Sequence, residues 1–79
     1  MKIHKIEFDF SRLVGRIVER FGSRRAFCNA AGISETVLSG RLNNQSSFRD
    51  YEIFRFCEPE LLDIKDDEVV AYFFTQKVR

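Results

Sequence analysis

From Lys2 to Phe10 apolar and polar residues alternate loosely, with Ile6, Phe8 and Phe10 on one side and Lys5, Glu7 and Asp9 on the other. A period of two reads as a short strand or an extended arm. At Ser11 the period changes. Leu13, Val14, Ile17, Val18 and Phe21 recur at helical spacing and predict a first helix over 11–21, with Asp9 or Ser11 as its cap and Gly22 as its stop. Ser23 is a strong N-cap for a second helix over 24–31, whose buried face is expected to carry Phe27, Ala30 and Ala31. Gly32 ends that helix, because glycine enters the left-handed region at little cost. Ile33 is expected to point inward, and Ser34 caps a third helix over 35–42 with Leu38 and Leu42 one turn apart. Asn43 and Asn44 tolerate a left-handed exit.

A fourth helix is expected over 49–57, with Ile53, Phe54 and Cys57 on its buried side and Phe56 as a further candidate. Pro59 marks a break, and residues 60–64 form a turn or a short helical segment. Acids at 66, 67 and 68 suit the positive end of a fifth helix, in which Val69, Val70, Tyr72, Phe73 and Phe74 follow. The pattern describes one all-α domain over residues 1–79. It has an arm or strand over 1–9, a helix–turn–helix over 23–42 and a C-terminal helix over 66–75.

Composition adds that nine phenylalanines and no tryptophan must build the core. No window has the ~18 apolar residues of a membrane span, and MKIHKIEFDF lacks an apolar signal region, so a cytoplasmic protein of a bacterial host cell, with no membrane partner, is expected. Cys28 and Cys57 read as reduced core residues. His4 is the only histidine and is expected to be exposed; two cysteines and one histidine do not make a zinc site. No phosphate loop or catalytic triad stands in the chain, so no catalytic residue, cofactor or metal is expected, and no enzyme.

Charge divides the chain in two. Residues 1–46 hold eight Lys/Arg against four acids, a net of +4, and residues 47–79 hold five against eight, a net of −3. Five arginines between Arg12 and Arg25, with Glu19 the one acid among them, make a polyanion a plausible partner for the first half. A solvated helix surface is the other reading, and for Arg12, Arg16 and Arg20, four residues apart on one face, it is the preferred one.

The stretch AFCNAAGISETVLSG places two short helices on either side of a glycine corner, which matches the helix–turn–helix, whose second helix enters the DNA major groove. Cys28 is small where the helices cross, Ile33 and Leu38 are expected to plug the space between them, and Phe27 to anchor the second helix to the first. From Ser23 to Asn44 the chain resembles the lambda-repressor-like helix-turn-helix proteins of Cro/CI and XRE type, and most of all small phage and prophage Cro-like regulators. The likeness extends over about residues 6–74 and implies a compact five-helix DNA-binding domain acting on operator DNA as a dimer. The family often has alanine where Cys28 stands and an apolar residue where Arg41 stands. Gly40, inside the third helix, costs ~1 kcal/mol relative to alanine.

That resemblance assigns roles. The start of the recognition helix normally meets base edges, which points to Glu35, Thr36 and Ser39. Glu35 reads equally well as a first-turn acid satisfying the helix dipole. The family places a phosphate contact at Arg24; Arg25 stands beside it, and Ser23 adds its hydroxyl or backbone amide. Arg41, Asn43 and Asn44 lie at the end of the third helix, where backbone contacts are common. Two functions follow. One is a sequence-specific transcriptional regulator that binds double-stranded operator DNA. The other is an antirepressor-like interaction module of the same fold, which docks on a partner repressor; its grounds are the low net charge, the acidic second half and the apolar stretch VVAYFF. For a homodimer, Phe73, Phe74 and Val78 are the candidate interface, with closing the core of a monomer as the equal alternative, and the arm over 2–8 is a candidate to pair with the C-terminal end.

Overall fold

In the computed structural model, which describes residues 6–77, α1 (Ser11–Phe21) starts where Asp9 folds back on the chain. The Asp9 carboxylate accepts the Ser11 amide at 2.9 Å and the Ser11 hydroxyl at 2.6 Å, and these bonds hold its carboxyl below the ordinary value. The cap position itself falls on Phe10. Leu13 and Ile17 are buried, whereas Val18 faces solvent. Gly22 closes α1 with φ +82°, its amide returning to Val18.

In α2 (Arg24–Ala31) the Ser23 hydroxyl accepts from the Ala26 amide, as a capping serine should. The buried pair is Phe27 and Cys28, with Ala31 half-buried; Ala30 is exposed, contrary to expectation. The reason is rotational. At ~100° per residue, positions 27, 28 and 31 share a face centred between Phe27 and Cys28, and Ala30 lies well outside it. Gly32, at φ +75°, makes the corner, and both its amide and that of Ile33 bond to the Cys28 carbonyl. Ser34 then caps α3 (Glu35–Leu42) by accepting from the Val37 amide. Leu38 is the one fully buried residue of α3, and Leu42 packs partly against the core.

α4 (Asp50–Phe56) buries Glu52 and Phe56, four apart, with Ile53 and Cys57 partly covered. Phe54 does not join them. Its ring is 79% exposed, because it is two residues from Phe56 and therefore on the far side of the helix. After the Cys57 cap the chain turns through 58–63, burying Leu61, Leu62 and Ile64. The C-terminal helix is shorter than its pattern suggests: a 3₁₀ turn, Asp66–Glu68, leads into α5 (Val69–Phe73). Thr75 ends it, donating its hydroxyl to the Ala71 carbonyl while its own carbonyl accepts the Asp9 amide at 2.7 Å. That bond, the Lys77 amide on the Glu7 carbonyl, and an antiparallel bridge between Phe8 and Gln76 tie the N-terminal arm to the C-terminal end. Among the described residues no longer strand forms, and the fold is all-α with five helices. His4, Val78 and the first residues of the arm lie outside the described range.

The core is a chain of edge-on phenylalanines. Phe48 sits in the middle, 5.3 Å from Phe10, 5.9 Å from Phe56 and 5.3 Å from Phe73, centroid to centroid. Phe27 extends the network to Phe56 and Phe21, and Phe8 extends it to Phe10 and Phe74. Such pairs contribute ~0.5–1.5 kcal/mol each beyond area burial. Phe73, at 1% exposure, closes the core, the second of the two roles open to it. Eight of the nine phenylalanines take part; Phe54 is the ninth.

Candidate interaction surfaces

The α2–α3 face carries the residues that the helix–turn–helix pattern singles out, and many are engaged within the chain. Arg41 does not reach outward. Its Nε and its second terminal nitrogen grip both carboxylate oxygens of Glu52 at 3.0 and 3.1 Å, and its remaining nitrogen donates to the Ser46 hydroxyl at 2.7 Å. The two side chains are only 13% and 9% exposed. This bidentate pair ties the end of α3 to α4. Burial alone would push the Glu52 carboxyl up; the Arg41 hydrogen bonds, the Arg49 amide and the Arg41 and Arg49 charges together hold it below its ordinary value. The same pairing raises the Arg41 guanidinium.

Asn44 is also spent. It is buried, with φ +61°, and its side-chain amide mimics a strand neighbour for the arm: the oxygen accepts the Phe8 amide at 2.8 Å and the nitrogen donates to the Phe8 carbonyl at 3.0 Å. A phosphate contact from Arg41 or from the Asn44 side chain would have to replace these bonds. Asn43 stays exposed and donates to the Ser39 hydroxyl at 3.3 Å, which leaves Ser39 half-buried. Glu35 meets Arg25 at 3.4 Å, an exposed and weak pair. Arg24 and Thr36 are exposed, and their side chains make no hydrogen bond or ion pair with another described residue. Ser23 is exposed but committed to capping α2.

Arg16 and Arg20 are structural as well, not merely solvated. Arg16 donates to the carbonyls of Leu62 and Asp63, and Arg20 to those of Leu61 and Pro59. They serve as caps for a turn that follows no helix pattern and would otherwise leave those acceptors to water. Arg16 is steadied in turn by Glu19 at 2.6 Å.

The other exposed face belongs to α4 and α5. Phe54 and Val70, 79% and 67% exposed, flank a groove of about 420 Å³ floored by Ile53, Cys57 and Val69, with Asp50 and Asp66 at its ends. On the opposite flank of α4, Tyr51 borders a second cleft with Val37, Ile33 and Arg55. Both cysteines are free; Cys28 is buried, Cys57 half-buried, and burial pushes both thiols up, away from reactive thiolate. Among the described residues no group of three or more His, Cys, Asp or Glu is placed to hold a metal ion, and no helix is long and apolar enough to cross a membrane.

With this geometry in hand, the relatives are informative. A family model described as "Protein of unknown function (DUF739)" matches residues 6–76. The chain belongs to that family. The match is to this family and not to the Cro/CI or XRE-type families that Ser23 to Asn44 resembles. No curated protein gives a match. Among solved structures the chain is similar to the modulator of repression (MOR) of the temperate bacteriophage TP901-1 from Lactococcus lactis, with 33% identity over 91% of this chain and 95% of that one and a TM-score of 0.74. The phage character and the small helical fold expected from the sequence are thus retained in a relative that is named for acting on repression.

Sequence reasoning missed the Arg41–Glu52 pair, the carbonyl-holding role of Arg16 and Arg20, and the bare α4–α5 groove. One signal was available for the first: a charged residue at a helix position usually apolar needs an opposite charge nearby, and Glu52 falls on the buried stripe of α4 with Phe56. The groove was hidden by assigning Phe54 to the core.

Proposed function

We propose that the chain is a single-domain, non-enzymatic interaction module that binds a partner repressor in the bacterial cytoplasm and so modulates repression. The observation that carries this reading is the likeness to a phage modulator of repression over nine-tenths of both chains. The α2–α3 face supports it. Of the nine residues expected to touch DNA, Arg41 and Asn44 are held within the fold, and Glu35 brings a negative charge to the start of α3 beside Arg25. Affinity for a duplex comes chiefly from cations left free to meet phosphates, and this face has few.

A second reading, direct operator binding, draws on one observation: Arg24 and Thr36 remain exposed at the starts of α2 and α3, where a phosphate and a base edge would lie. One experiment separates the two. Tagged chain is mixed with a purified phage repressor, and separately with that repressor's operator duplex, at low and at physiological salt. Co-elution of the repressor, with no preference for operator over random duplex, is the expected result. A specific operator shift by the chain alone, with no repressor retained, would overturn the first reading in favour of the second.

A further inference from the structure

The composition of the α4–α5 groove narrows what could occupy it. Its walls are apolar and exposed: Phe54 and Val70 project on either side, and Phe54 is the one phenylalanine left out of the ring network that consumes the other eight. Single exposed apolar residues are ordinary, but two large ones facing a common groove make a patch. Its rim is acidic. Asp50, which opens α4, and Asp66 line the groove, and Asp67 and Glu68 follow Asp66 in the adjoining exposed 3₁₀ turn. The nearby cations do not neutralise them: Arg55 pairs with Glu58 at 3.2 Å, Lys65 with Asp63 at 3.0 Å, and the Arg49 charge acts on Glu52. Asp50, Asp66 and Asp67 form no ion pair among the described residues.

This charge pattern excludes several occupants. A second copy related by a two-fold axis would set this patch against itself and bring the acidic rims together. Nucleic acid and anionic lipid surfaces are repelled for the same reason. What complements an apolar groove between acidic ends is an amphipathic helix whose apolar stripe fills the groove while lysines or arginines on its flanks reach the rim. We infer that the α4–α5 groove, flanked by Phe54 and Val70, is the docking site for a basic amphipathic helix of a partner protein. The inference rests on the interaction-module reading and gives it a face and a ligand chemistry.

The test uses the isotopically labelled full chain, titrated with a short Leu/Lys amphipathic helical peptide and, in parallel, with a Leu/Glu peptide of the same pattern. The expected result is amide shift changes clustered at 50–57 and 66–73 with the Leu/Lys peptide only, weakening as salt is raised. Phe54→Ser and Val70→Ser, both at exposed positions, each lower that affinity about tenfold or more. Asp66→Asn combined with Asp67→Asn flattens the salt dependence. Changes confined to α2 and α3, equal binding of the Leu/Glu peptide, or concentration-dependent self-association abolished by Phe54→Ser would each overturn the assignment. The failures are separable. If wild type and Phe54→Ser retain the partner repressor equally, the groove assignment falls and the module reading stands. If neither retains it while the Leu/Lys peptide still maps to the groove, the module reading falls and the groove stands.

Discussion

The α2–α3 face and the α4–α5 face are each made from two short helices, yet they handle their side chains in opposite ways. On the first, charged and amide groups turn back into the fold, Arg41 to Glu52 and Asn44 to Phe8, while Arg25 and Glu35 pair weakly at the surface. On the second, apolar groups turn away from a core that already has enough rings, and acids stand around them without counter-charges. A side chain used internally contributes to stability and is a poor ligand; one left bare contributes little to stability and is available to a partner. Family resemblance alone would place function on the first face. The groove proposed as a docking site would put it on the second.

The comparison breaks most visibly at the Arg41–Glu52 pair. Arg41→Ala leaves a mostly buried carboxylate without its counter-charge and should destabilise the fold by about 3 kcal/mol, a fall in Tm on the order of 15 °C for a domain of this size by calorimetry. The pair also sets a pH response. Because the Glu52 carboxyl is held below its ordinary value of 4.5, its contribution is fully present above that pH and is lost as the pH falls through the lower folded value. Denaturant midpoints measured downward from that pH should drop for the wild type, and Arg41→Ala should lack this component. If Arg41 were instead a free phosphate ligand, its removal would leave stability and its pH profile unchanged.

Arg16→Ala should cost about 2 kcal/mol, since two carbonyls in the 58–63 turn lose a charged donor. Chemical denaturation measures it, and amide exchange should rise at Leu61 to Ile64. Gly32→Ala should cost about 1 kcal/mol. Open space surrounds the added methyl, so the penalty is that of a left-handed φ of +75° alone. Phe54→Ala sits at the small end: within about 0.5 kcal/mol of wild type in stability, although its loss from the groove should be felt in partner binding. A large loss of stability on Phe54→Ala would erase the contrast between the faces.

Much of the fold was legible in the sequence because its signals are local. Ser23, Ser34, Gly22 and Gly32 act through their own backbone, and the structure places each at the cap or corner where the pattern put it. Leu13, Ile17 and Leu38 are buried at the periodicity that announced them. What stayed hidden depends on distant residues. Nothing near Asn44 shows that Phe8, 36 positions earlier, will occupy its amide. The arginine row at 16 and 20 looks like a surface until the turn after Pro59 is laid against it. Phe54 was misplaced for a different reason: an apolar residue in an apolar stretch suggests core, and only the exact rotation set by Glu52 and Phe56 turns it outward. The site residues suffered more than the fold, because a motif gives positions and not the neighbours that claim them.

The most direct test of the account is a competition on one labelled sample. The chain is titrated first with operator duplex at physiological salt, then with the purified repressor, and the amide spectrum is followed throughout. The duplex should leave the spectrum unmoved, and the repressor should shift it strongly. Shifts at Arg24, Glu35, Thr36 and Ser39 on adding duplex, with no further change on adding repressor, would contradict it.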